Sequence, residues 1–83
     1  ARYLRHIGLE TPLNQYRLIN AWVSVVGESV AEKTHDIYIK NQTLCVSIKS
    51  AVLRSNLLMK RQYLIERLNA AVGVKVIADI HFT

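Results

Sequence analysis

Apolar residues recur along this chain with two periods, and the switches between them mark out its elements. Tyr16, Ile19, Trp22, Val23, Val26 and Val30 follow the three-and-four spacing of one helical face. Thr11-Pro12 predicts the start: threonine can cap orphan N–H groups, and proline suits the first helical position because its missing N–H costs nothing there. Gly27 interrupts the stripe and predicts a break, with a shorter helix from Glu28 to Lys33. Residues 1–10 are mixed. Leu4 and Ile7 fit the tail of an earlier helix, closed by Gly8.

From His35 the period changes to two. Ile37 and Ile39 face one way and Asp36, Tyr38 and Lys40 the other; Leu44, Val46 and Ile48 repeat the pattern between Thr43 and Ser50. A two-residue turn at Asn41-Gln42 places Ile39 opposite Leu44 and Ile37 opposite Val46, so both apolar sets share one face, the register a hairpin needs. Ser50 is a plausible cap for one long helix from Ala51 to about Val72. Its core stripe is Leu53, Leu57, Leu64, Leu68 and Ala71, widened by Leu58 and Ile65 and padded by Met59 and Tyr63. Gly73 ends it. Val74, Val76, Ala78, Ile80 and Phe82 then alternate with Lys75, Ile77, Asp79, His81 and Thr83, predicting a last strand over 74–82.

The pattern is that of an α+β domain: helix, short helix, strand, strand, long helix, strand. A strand–helix–strand crossover is right-handed and sets the last strand parallel to the one before the helix. The result is a three-stranded mixed sheet with helices on one face. The other face is left to Tyr38, Lys40, Cys45, Ser47, Lys49, Ile77, Asp79 and His81. Either hairpin strand could neighbour the last one.

Length and composition narrow the class. The 83 residues fit one domain, 1–83, with a core over 11–82 and residues 1–10 as an N-terminal extension or the end of an upstream helix. A hydrophobic share of 51% argues against disorder. A single cysteine, Cys45, allows neither an internal disulfide nor a cysteine-based zinc site, and an unstapled domain of this size suits a reducing, cytoplasmic setting. No apolar run approaches a membrane span.

Catalysis finds no support. His6, His35 and His81 have no neighbour at metal-ligand or triad spacing, the glycines stand alone at 8, 27 and 73, and no carboxylate pair falls at a motif spacing. Neither a metal nor a cofactor is expected. Charge says more. The formal net charge is +5, and Lys40, Lys49, Arg54, Lys60 and Arg61 fall in a stretch, between Asp36 and Glu66, that holds no acidic residue. Such a patch is the electrostatic footprint of phosphate binding, and Tyr38 between the hairpin lysines could stack on an unpaired base. The plainer reading is a solvated face. Trp22 lies on the apolar stripe and is assigned to the core. Asn69, near the end of the long helix, is assigned a structural bond to a loop carbonyl.

One ordered set of residues is familiar: Ala21-Trp22, Val25-Val26-Gly27, Val30-Ala31 and Thr34; Asn41, Leu44-Cys45-Val46 and Ser50; then Leu53-Arg54-Ser55-Asn56-Leu57, Leu64-Ile65, Leu68-Asn69, Gly73 and Ile80-x-Phe82. Over residues 11–82 it resembles the bacterial domain family that includes the DciA-type replicative helicase loaders, and most closely the short Bacteroidetes-like members. The resemblance implies a fold similar to the type II KH domain and a non-enzymatic, nucleic-acid-binding role. It implies single-stranded or duplex DNA as ligand, with the replicative DNA helicase as partner. The alternatives are an RNA-binding domain, or a protein-interaction or homodimerising module that uses the open sheet face. KH domains that grip single strands do so with a Gly-x-x-Gly loop between two helices. Here Met59-Lys60-Arg61-Gln62 stands in that region without a glycine and reads as continuous helix, which leaves the contacts to lysine and arginine side chains.

Overall fold

The computed structural model describes residues 12–83. The proposed cap Thr11 and the upstream residues Leu4, Ile7 and Gly8 lie outside that range. Helix α1 (Pro12–Val26) is followed by α2 (Glu28–Glu32), strands β1 (Thr34–Lys40) and β2 (Thr43–Ile48), helices α3 (Ala51–Met59) and α4 (Arg61–Val72), and strand β3 (Asp79–Phe82). The strands form one sheet in the order β1-β2-β3, with β1 antiparallel and β3 parallel to β2. This is the mixed sheet that the pattern predicts, with β3 beside β2. The helix–helix–strand–strand–helix–helix–strand order is consistent with a small KH-like α+β fold. No helix among the described residues is long and apolar enough to cross a membrane.

The hairpin follows the predicted register, Ile39 opposite Leu44 and Ile37 opposite Val46. Asn41 and Gln42 turn the chain with φ of 51° and 60°. Two successive positive φ values match the right-handed twist of the flanking strands. A bulge between Thr34 and Asp36 shifts the far end by one residue. Ser50 caps α3, its hydroxyl accepting from the Leu53 N–H at 3.2 Å. Gly73 closes α4 in the left-handed region at φ 97°, a conformation that side chains with a Cβ rarely adopt.

Leu44, Val46, Ile48 and Ile80 turn their side chains from the sheet toward Leu18, Trp22, Leu57, Leu64, Ile65 and Leu68 of the helices. On α1 the buried face is rotated from the predicted stripe. Leu18 is fully buried, whereas Tyr16 and Val23 are exposed. Both sets obey helical spacing about Trp22, so periodicity alone does not choose between them. The helix packs on the side that lets Leu18, Trp22 and Val25 meet α4 and the sheet.

Two further expectations need correction. The predicted long helix is two helices, broken at Lys60, whose backbone leaves helical geometry at φ −104°, ψ 14°. Its stripe has a gap between Leu57 and Leu64, and the residues three and four beyond Leu57 are Lys60 and Arg61. An unbroken helix would turn these charges into the core, where an unpaired charge is costly. The break releases both to solvent. It also leaves Leu58, Met59, Tyr63 and Ala71 exposed rather than padding the core.

The last strand is Asp79–Phe82 rather than 74–82. Val76 and Ile77, adjacent in sequence, are both buried, which a strand with one solvated face cannot achieve. Asn69 holds this segment in place. Its amide Nδ2 donates to the Ile77 carbonyl at 2.9 Å, and its Oδ1 accepts from the N–H groups of Val76 at 2.9 Å and Ile77 at 3.1 Å. Ile77, predicted on the open face, is therefore core. The expected bond from Asn69 to a loop carbonyl is present, within a three-bond clamp.

Candidate nucleic-acid interface

Arg54 and Arg61 stand at opposite ends of β3. From α3, the Arg54 Nη1 donates to the Ile48 carbonyl at 2.7 Å and to the Thr83 carbonyl at 3.4 Å, where β2 and β3 finish. At the first residue of α4, Arg61 Nε lies 3.6 Å from Asp79 Oδ1, where β3 begins. Four residue steps of strand separate these anchors, roughly 13 Å at ordinary strand rise. β3 thus has a guanidinium at each end.

Sequence separation hid two features of this arrangement. Arg54 and Arg61 do not share one helix, and Arg54 is half-buried with its guanidinium committed to strand-end carbonyls. The acid-free stretch also acquires a countercharge by folding, since Asp79 returns from the last strand to meet Arg61. That pair is about half-exposed, so its own contribution to stability is small.

Lys60 occupies the corner itself and is exposed. It precedes a helix N-terminus that no side chain caps and whose first turn holds no acidic residue. Free N–H groups and the helix dipole make such an end electropositive, and Lys60 and Arg61 add to it. Local electrostatics favour an anion at this end; Asp79 already supplies one beside Arg61, and among the described residues Lys60 has no ion pair. Asn56, Lys60 and Tyr63 line a cleft of about 220 Å³ whose floor includes Val26, Leu53 and Leu57. Tyr63 is 56% exposed, and the Arg67 guanidinium lies 5.9 Å from its ring centre. Tyr63 lines this cleft beside Lys60, and its trace in the sequence is its place three residues after that lysine.

The remaining sequence candidates lie elsewhere. Tyr38 and Lys40 sit on the open face of β1 and are exposed. Lys49, just past β2, is exposed at the other end of the sheet, with its N–H bonded to the Lys33 carbonyl. The register sets Tyr38, Cys45 and His81 in one row across the open face. The neighbouring Cys45 side chain, then partial desolvation and the Asp36 carboxylate, push the Tyr38 phenol above its usual range. Lys60, Arg61 and Tyr63 therefore form one corner, Arg54 and Lys49 lie beyond the far end of β3, and Tyr38 with Lys40 forms a separate surface near the β1 edge. Among the described residues no group of three or more His, Cys, Asp or Glu is placed to hold a metal ion.

Fold and corner together define a KH-like domain whose inter-helix turn is basic rather than glycine-rich. The chain belongs to the DciA family, described as "Dna[CI] antecedent, DciA", which matches residues 1–82. That family's role is related to replicative-helicase loading in DNA replication, and its members are loaders that associate with the replicative helicase rather than catalysts. Among curated proteins none matches this chain.

Proposed function

We propose that this single domain binds DNA at the α3–α4 corner and along the β3 edge, in support of the replicative helicase. One observation carries the reading: Lys60 and Arg61 flank an uncapped helix N-terminus at the turn where KH domains that grip single strands carry their phosphate-binding loop. A DNA phosphate would satisfy the free N–H groups, neutralise Lys60 and compete with Asp79 for Arg61. Tyr63 offers a ring for an unpaired base beside that phosphate, and stacking of this kind tolerates any sequence. Arg54 marks the far end of the track, and Lys49 extends it. Lys40 and Tyr38 supply a secondary contact on the open face.

The test replaces Lys60 with glutamate and Arg61 with glutamine. Glutamate suits the N-terminus of α4, so the double variant keeps its melting temperature. Arg54 is left in place because removing it would strip the Ile48 carbonyl of its charged donor. Affinity for labelled single-stranded DNA should fall by more than about tenfold, and the salt slope should flatten by about one for each lost phosphate contact. A folded double variant that binds as the parent does would refute this site. Competition with RNA of the same sequence separates a replication role from an RNA-binding one.

A further inference from the structure

The outer edge of β1 is open among the described residues, and its sequence is complementary to itself. Lys40 and Thr43 flank the two-residue turn and so exchange both backbone bonds, which directs Lys40, Tyr38 and Asp36 toward β2. Ile37 and Ile39 then present their N–H and C=O groups to the outside. The Ile37 N–H confirms this direction, since it bonds the side chain of its own neighbour, Asp36 Oδ1, at 2.9 Å rather than a strand. An edge of this kind is a template for another strand.

An antiparallel copy of β1 must pair outward-facing residues with outward-facing residues, which allows few registers. Placing Ile37 opposite Ile39 of the second copy also sets Tyr38 opposite Tyr38 and Asp36 opposite Lys40. Moving by one allowed step in either direction sets Asp36 or Lys40 against Tyr38 and loses both ion pairs. Opposite charges directly across a ladder are favourable and like charges are not. In the matched register the Ile37 N–H exchanges the Asp36 carboxylate for a backbone carbonyl, and that carboxylate is freed for the lysine.

We propose that β1 is a self-association edge, through which two copies pair antiparallel about a two-fold axis at Tyr38, with Asp36 of each copy facing Lys40 of the other. The three-stranded sheets join into one of six strands, and all helices stay on one face. The α3–α4 corner and the β3 edge lie at the outer ends, so the dimer holds two copies of the proposed DNA track. The contact is small, in the weak and transient class below roughly 1,200 Å².

The test uses the whole chain. In a Cys45→Ser background, Tyr38→Cys brings two thiols together at a non-hydrogen-bonded pair, where Cα atoms lie about 4.5 Å apart. An intermolecular disulfide should form on mild oxidation. Ser47→Cys in the same background should stay unlinked, because β2 and its copy are about 14 Å apart in the joined sheet. In sedimentation, Asp36→Lys and Lys40→Asp should each weaken dimerisation by tenfold or more, and the charge-swapped double variant should restore it. All five positions lie on β1 or β2 and none is buried, and circular dichroism checks that the variants fold. A parent chain that stays monomeric at millimolar concentration overturns the proposal, as does a double variant no better than the singles. DNA affinity measured on the same samples is a separate readout, so either proposal can fail alone.

Discussion

Replacing Trp22 with alanine should bring this domain to the edge of unfolding. Trp22 is 2% exposed, its ring lies 6.5 Å from that of Phe82, and its Nε1–H donates to Thr34 Oγ1 at 3.0 Å. Thr34 passes the bond on, its hydroxyl donating to the Val30 carbonyl at 3.0 Å. One side chain thus ties α1 to the start of β1, to α2 and to the end of β3. Truncating a buried tryptophan costs about 3–5 kcal/mol. A chain of this size has about 4–12 kcal/mol of stability in all. Urea unfolding followed by circular dichroism should show the midpoint falling by a third or more. Trp22→Phe, which keeps a ring and loses the N–H, should cost only about 1–2 kcal/mol. A loss below about 1 kcal/mol for Trp22→Ala would contradict the assignment of this residue to the core.

Asn69 carries the second large effect. Its amide satisfies two N–H groups and one carbonyl of the segment that leads into β3. Val76 and Ile77 are buried there, so water cannot readily take its place. Asn69→Ala leaves those groups without their partner, at about 1 kcal/mol or more for each bond, or about 3 kcal/mol together. Asn69→Asp keeps the acceptor but faces the Ile77 carbonyl with a negative charge, and should do no better. Amide exchange would rise first at Val76 and Ile77, which locates the damage. Equal protection at both positions in the variant and the parent would refute the clamp.

These two residues show what was legible in the sequence. Trp22 sits on any apolar stripe drawn through α1. Asn69 is a polar residue at the end of a core-facing helix, and both roles follow from local pattern. The hairpin was legible for the same reason: its turn and its period-two alternation agree on one register, which the pairing of Ile37 with Val46 repeats. What local pattern missed was set by distant contacts. No glycine or proline marks the break at Lys60. Its trace is a gap in the apolar stripe where Lys60 and Arg61 fall, and that gap becomes a break only because Leu57 and Leu64 must both reach the core. Alternation over 74–82 could not show that Val76 and Ile77 both turn inward, since the Asn69 clamp decides it.

The candidate site was less legible than the fold. The basic stretch supplied the residue types. Folding divided them, committing Arg54 to two carbonyls, bringing Asp79 against Arg61, and leaving Tyr38 and Lys40 on another surface. Tyr63 came into view only when the helix break exposed it beside Lys60. The family places the chain in the setting of replicative-helicase loading, and the basic corner at Lys60 and Arg61 is the observation behind the proposed DNA site.

The most direct measurement of that claim is the salt dependence of DNA binding by the intact chain, read as fluorescence anisotropy. Engagement of about four phosphates, by Lys49, Arg54, Lys60 and Arg61, predicts a slope of log K against log salt near −3 for single-stranded DNA and between −3 and −4 for duplex. Binding at low salt with such a slope is the result the account predicts. No binding at low salt, or binding indifferent to salt, would contradict it and leave the basic corner as a solvated surface.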